Sequence, residues 1–173
     1  MFAHLRLGPV TVYDPCCGRG NILDAAKAAG YPTVGSDIKD RGASKRHTFA
    51  KGDFLRLRKP PATHGRGLAI VANTPYGDEA EKMVRHALSL PYRHCLFIYP
   101  LSWLASEGRY HLFARDHPPT QLLFHSERPT MPPGHMLTDP KAFKNVAIDY
   151  FWLHYERGRA PQPPAWIKPR NFA

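Results

Sequence analysis

The chain has 173 residues, enough for one domain with a substantial core and too few for a catalytic domain plus a full separate recognition domain. Its 24 Lys and Arg against 14 Asp and Glu give a formal charge of +10, which favours a polyanionic partner because clustered cations release condensed counterions when they meet phosphates. The three cysteines offer neither a disulfide framework nor a paired zinc spacing, no apolar run has the length of a membrane span, and Met1 to Arg6 lacks a leader pattern, so the expected setting is the reducing cytoplasm.

In chain order, Val10 to Asp14 is a short β-rich run ended by Pro15 and a glycine turn, and Asn21 to Gly30 carries helix formers stopped by a glycine. Thr33 to Asp37 reads as a second strand, and Arg46 to Phe49 as a third whose exit is Gly52-Asp53-Phe54. Arg56 to Arg66 mixes Pro, Gly and basic residues, a solvated loop before the apolar strand Leu68 to Ala72. A helix over Asp78 to Leu90 follows, with Ala80, Met83, Val84, Ala87 and Leu88 on one face. Strand five is Cys95 to Tyr99, a helix is expected over Glu107 to Asp116, and the last strands are Gln121 to Ser126 and Val146 to Tyr155. The pattern predicts one α/β domain over residues 1–157, with a basic, Pro-containing tail over 158–173 that is ordered only if Trp166 docks. The last two strands lack a helix long enough for a crossover between them and should pair antiparallel.

Two motifs carry chemistry. The first is the turn Asp14-Pro15-Cys16-Cys17-Gly18-Arg19-Gly20, whose glycines let the backbone approach a ligand and turn into a helix. Leu23 stands where a dinucleotide fingerprint has its third glycine or alanine, which argues against NAD and FAD, and no phosphate loop with Gly-Lys-Ser/Thr is present. Asp37, closing strand two, is placed to accept hydrogen bonds from both hydroxyls of a ribose. The second motif is Asn73-Thr74-Pro75-Tyr76-Gly77, at the end of the apolar strand. Ten scattered histidines form no metal-ligand spacing and read as surface residues, so no metal is expected.

Taken together and in this order, the D-P-x-x-G-x-G turn and the N-T-P-Y tetrad resemble the class I S-adenosylmethionine-dependent amino-methyltransferases, in particular the DNA adenine-N6 enzymes of bacterial and phage type. The resemblance spans roughly residues 10–156. It implies a Rossmann-like, doubly wound seven-stranded sheet in the order 3-2-1-4-5-7-6, its last pair antiparallel. It also implies S-adenosylmethionine as cofactor, held by Asp14, Pro15, Cys16, Gly18, Gly20, Asp37, Ile38, Asp53 and Phe54, with Asn73 at the junction with the substrate. In this scheme Asp14 serves the ammonium, Asp37 the ribose and Asp53 the adenine amino group, while Phe54 or Ile38 packs on the adenine ring. About nine residues precede strand one, so the helix that often closes the methionine pocket in relatives should be missing or supplied otherwise.

The tetrad answers a chemical difficulty. An amine conjugated to a ring is a poor nucleophile, and two acceptors aimed at its hydrogens free its lone pair for in-line attack. By resemblance these are the Asn73 side-chain oxygen and the main-chain carbonyl of Thr74, with Tyr76 stacking on a flipped-out base. Thr74 departs from the usual first proline, yet a threonine also has a carbonyl, and Pro75 still keeps residue 74 extended. Thr74→Pro is therefore expected to keep or raise activity. The expected function is methyl transfer to an exocyclic amino nitrogen of a nucleic acid base, with adenine in DNA favoured. An RNA base, a protein glutamine, or a weakened fold kept for nucleic-acid binding are the alternatives. Substrate contacts are sought at Ser102-Trp103, at Arg128 to Lys144, and at the basic residues Lys45, Arg46, Lys51, Arg56, Arg58 and Lys59.

Overall fold

In a computed structural model of the chain, residues 1–129 and 148–169 are described. Strand β1 (Val10–Asp14) is buried on both faces, the signature of a parallel strand covered from both sides. It lies between β2 (Thr33–Asp37) and β4 (Gly67–Ala72), parallel to both. Outward from β2 comes β3 (Thr48–Lys51), and outward from β4 come β5 (His94–Pro100), β7 (Tyr150–Glu156) and β6 (Gln121–His125). The first five strands run parallel, whereas β7 is antiparallel to both β5 and β6. The expected order is thus present, with one addition. A short β8 (Ala165–Ile167) pairs parallel with β6, making an eight-stranded sheet.

Period-two alternation sorts the strand residues into two layers. Val10, Val12, Ala69, Val71, Leu96 and Ile98 face Leu7 and Ala26 on one side. Tyr13, Ile70, Ala72, Phe97, Tyr99 and Phe151 face Ala80, Met83, Val84 and Ala87 on the other. Ala26 belongs to helix α1 (Asn21–Ala28), and the second set belongs to α2 (Asp78–Ser89). Among the described residues no helix is long and apolar enough to cross a membrane.

One expectation is corrected here. The segment expected as a helix over Glu107 to Asp116 is a 3₁₀ turn at Glu107–Arg109 and a π-helical turn at Leu112–Asp116. Gly108 weakens a helix there. Arg109 is tied back by a hydrogen bond from Nε to the Trp103 carbonyl (2.7 Å) and lies over the Trp103 ring (4.6 Å). The tail, expected to be ordered only if Trp166 docks, contributes a strand. Ile167 is its buried anchor, while Trp166 is 66% exposed with its ring 5.5 Å from that of Phe124. Val146 and Ala147, expected in the last strand, lie outside the described residues, as do residues 170–173 of the tail.

Candidate functional site

The chain reverses its fill direction at β1, since β2 lies to one side and β4 to the other, and a crevice opens beyond the carboxyl ends of these strands. A cleft of about 890 Å³ occupies it. One wall is the turn after β1, held by three bonds, two of them to β2. The Asp14 carboxyl accepts from the Cys16 N–H (3.0 Å), the Cys17 N–H donates to the Ser36 carbonyl (3.0 Å), and the Gly18 N–H donates to Asp37 Oδ2 (2.9 Å). Gly18 has φ +54 and nothing within 4 Å of where a Cβ would stand, so its main chain faces open space.

The opposite wall is the tetrad. Asn73 is exposed, and the Tyr76 hydroxyl donates to its Oδ1 (3.1 Å). Pro75 and Tyr76 are exposed beside it. Gly77 then takes φ +90 to start α2. Thr74 is buried instead, and its Oγ1 hydrogen-bonds the Tyr99 hydroxyl at 2.7 Å. Tyr99 is stacked on Trp103 at 4.0 Å and meets the Tyr76 ring edge-on at 6.2 Å. An aromatic column thus runs from the core to the cleft.

Of the residues singled out from sequence, Pro15, Cys16, Gly18, Asp37, Ile38, Asp53, Phe54, Asn73, Thr74, Pro75 and Tyr76 all line this one cleft. Asp14 and Gly20 are not among its lining residues. Asp14 is 2% exposed beneath the turn, where burial pushes its carboxyl up to about 8 and it accepts from the Cys16 N–H. Gly20 caps α1 at φ +89, where a Cβ would meet His47 at 3.1 Å. Phe54 is 2% exposed, its ring edge-on to His86 (4.9 Å) and Tyr13 (6.3 Å), so the core holds it and Ile38, 66% exposed, is the free apolar wall. Asp53 keeps its carboxylate partly exposed while capping the turn Phe54–Arg56 through the Leu55 N–H (2.9 Å).

Sequence reasoning missed Arg41, Glu79, Met83, Ile148 and Tyr150, which also line the cleft. Arg41 is the most consequential, because its Nη1 donates to Asp37 Oδ1 at 2.8 Å. With Gly18 and Lys39 also donating to it, the Asp37 carboxylate is engaged by three donors. The i,i+4 spacing of Asp37 and Arg41 was a visible signal, but no helix pattern there gave it meaning.

The expected substrate contacts fare unevenly. Trp103 is buried in the aromatic column and does not face a substrate. Arg128 pairs with Asp149 at 2.7 Å, and residues 130–144 of that stretch lie outside the described residues. In the basic loop, Arg46 is held by Asp24 (2.9 Å), while Arg56 is 88% exposed beside Asp53 at 3.5 Å.

The histidines are not all on the surface: His47, His94 and His154 are buried. His94, His154 and Glu156 place one possible ligand atom each within 4.8 Å of one another. The rings of His94 and His154 are nearly coplanar (21°), with Nδ1 and Nε2 at 3.1 Å and centroids at 5.4 Å. The centroid separation is roughly the N···N distance plus the two ring radii, so the lone pairs point at each other. A tetrahedral metal needs them to converge at an angle. The pair is a linear N–H···N hydrogen bond.

No family model matches this chain, and no curated relative does. Solved structures do. A Listeria monocytogenes protein provisionally classed as a class I S-adenosylmethionine-dependent methyltransferase superposes with a TM-score of 0.60 at 10% identity over 94% of this chain, which spans 60% of that protein's length. The 23S rRNA methyltransferase ErmE matches at 0.61 and 18% identity over 92% of this chain and 66% of its own. Magnesium protoporphyrin IX methyltransferase from Synechocystis, with S-adenosylmethionine bound, matches at 0.55 and 19% identity over 88% of this chain and 72% of its own. The fold is that of the class I methyltransferases.

Proposed function

We propose that the protein is an S-adenosylmethionine-dependent methyltransferase acting on an exocyclic amino nitrogen of a nucleic acid base, with adenine in DNA the favoured target. One observation carries this reading: the Gly18–Asp37 wall and the Asn73–Tyr76 wall, read independently from sequence, open onto the same cleft. The residues present fit the cofactor. Gly18 offers uncovered main chain, Ile38 an apolar face, and Asp53 a partly exposed carboxylate at the end of β3. When bound, the cofactor supplies an activated methyl group on sulfur. Asn73 Oδ1 and the Thr74 carbonyl accept from the target amine and hold its lone pair in line, while Tyr76 stacks on the base. The charge of +10 supports a nucleic acid over an acidic protein as the partner, and the setting proposed is the cytoplasm.

A second reading, a methyltransferase fold kept for binding with its chemistry weakened, is favoured by the Arg41–Asp37 ion pair, which competes for the carboxylate that a ribose would use. One experiment separates the two. DNA and RNA are incubated with protein and cofactor carrying a labelled methyl group, then digested and analysed by mass spectrometry of nucleosides. The expected product is N6-methyladenosine or its deoxy form, lost in Asn73→Ala while cofactor affinity by calorimetry stays within about twofold. Labelled product from Asn73→Ala at the wild-type rate refutes the assignment of the acceptor site.

A further inference from the structure

At the pole of the sheet opposite the cleft, three arginines flank neighbouring strands. Arg66 immediately precedes β4, Arg93 immediately precedes β5, and Arg157 immediately follows β7. These strands are consecutive in the sheet, so at about 4.8 Å per strand the row extends about 10 Å. Two shallow clefts meet at Arg66. One is lined by Lys27, Tyr31 and Arg66 among others, the second by Arg66, Tyr92, Arg93 and Arg157 among others, and neither lining includes a carboxylate.

The row is built. Arg157 is held by hydrogen bonds from Nε to the Tyr92 carbonyl (2.9 Å) and from Nη2 to the Leu90 carbonyl (2.8 Å), with its guanidinium 4.4 Å over the Tyr92 ring. Arg93 lies across the start of β4, where Gly67 makes room for it: a Cβ on Gly67 would stand 3.0 Å from the Arg93 Cβ. Register puts like charges together. His94 pairs with Glu156, and the Arg157 N–H donates to the Arg93 carbonyl (3.0 Å), so Arg93 and Arg157 stand opposite each other on adjacent strands. Directly opposed like charges destabilise a sheet. Among the described residues no carboxylate pairs with Lys27, Arg66, Arg93 or Arg157, and Glu156 is engaged by Arg159. A row of exposed guanidiniums that repel one another is relieved by an anion, and their planar forks suit phosphate oxygens.

We propose that Arg66, Arg93 and Arg157, with Lys27, form a second nucleic-acid contact that grips the phosphate backbone at the pole opposite the cleft. The proposal rests on the nucleic-acid partner read above, but not on methyl transfer. A substrate gripped there and presented to the cleft must bend around the domain or be long enough to reach both poles, so short oligonucleotides would lose the contact.

The test uses the full chain and a fluorescently labelled, mixed-sequence single-stranded DNA, with binding followed by anisotropy from low to moderate salt. Arg66→Glu/Arg93→Glu leaves the two bonds of Arg157 intact and is compared with Lys45→Glu/Arg56→Glu in the basic loop. The rim variant should weaken binding about tenfold or more at low salt and reduce the slope of log K against log salt by about 1.4, two phosphates at about 0.7 each. Its melting temperature and its cofactor affinity should match wild type. An unchanged slope in the folded rim variant overturns the proposal, and a loss confined to the loop variant moves the nucleic-acid contact there. Equal affinity of wild type for polyglutamate also overturns it, making the row a generic anion patch. If the rim variant loses DNA and wild type transfers no methyl group, the rim stands and the methyl-transfer reading falls.

Discussion

Thr74 changes meaning between sequence and structure. As a motif position it is a substitute for proline whose carbonyl alone matters. In the folded chain its hydroxyl is buried against Tyr99, whose other acceptor contact, the Ala80 carbonyl, is at 3.5 Å. The register explains the encounter: Ala72 pairs with Phe97, so two residues further along both strands Thr74 meets Tyr99. Thr74→Val should therefore cost about 1–3 kcal/mol in urea unfolding, the usual cost of orphaning a buried hydroxyl. Thr74→Pro also deletes the hydroxyl, so it should lose stability by a similar amount whatever its effect on methyl transfer. Equal midpoints for wild type and both variants would remove the Thr74–Tyr99 bond from the account.

The C-terminal strand is the element that composition left open. Pro-rich and basic, its sequence lacks the alternation of a long strand, and β8 has only three residues. What holds it is pairing with β6 and the burial of Ile167, which is 7% exposed. Ile167→Ala should cost about 2 kcal/mol, the low end for emptying a buried aliphatic site, because an edge strand can partly collapse. Trp166→Ala, at a 66% exposed position, should cost far less. Thermal unfolding of the two variants checks the order. A reversed order would make Trp166 the anchor, as the sequence suggested.

For the whole molecule, the buried histidine pair sets a pH dependence of stability. Burial, with the charge of His94 second, lowers His154 to about 4, against an ordinary 6.5. The unfolded chain then takes up its proton at a higher pH than the folded one. Stability from this group is complete above about pH 6.5 and is lost as pH falls toward 4. Asp14 acts in the opposite sense, since its folded carboxyl, raised to about 8, binds a proton more readily than the unfolded one. A single wild-type profile therefore mixes these with His94 and His125, both also lowered by burial. In His154→Gln, unfolding free energy should fall less between pH 6.5 and 4.5 than in wild type, by on the order of 2 kcal/mol. Parallel profiles for the two proteins would show that His154 does not titrate on unfolding.

The sequence by itself determined the strand series, the two α-helices and the pairing of a glycine turn with an N-T-P-Y tetrad. Each is a local pattern: β-branched runs, a 3.6-residue apolar face, and punctuating glycines and prolines. It also determined that both motifs lie at carboxyl ends of parallel strands, because connectivity alone fixes that in a doubly wound sheet. Which side chains meet was decided only by the tertiary structure. Asp14 is buried beneath its turn, Asp37 is held by Arg41, Thr74 is bonded to Tyr99, and His94 faces His154 across 60 residues of chain. Apart from Arg41, four residues from Asp37, these facts depend on strand register or burial. Register is a property of pairs of strands, set by how the whole core packs, and no window along one strand contains it.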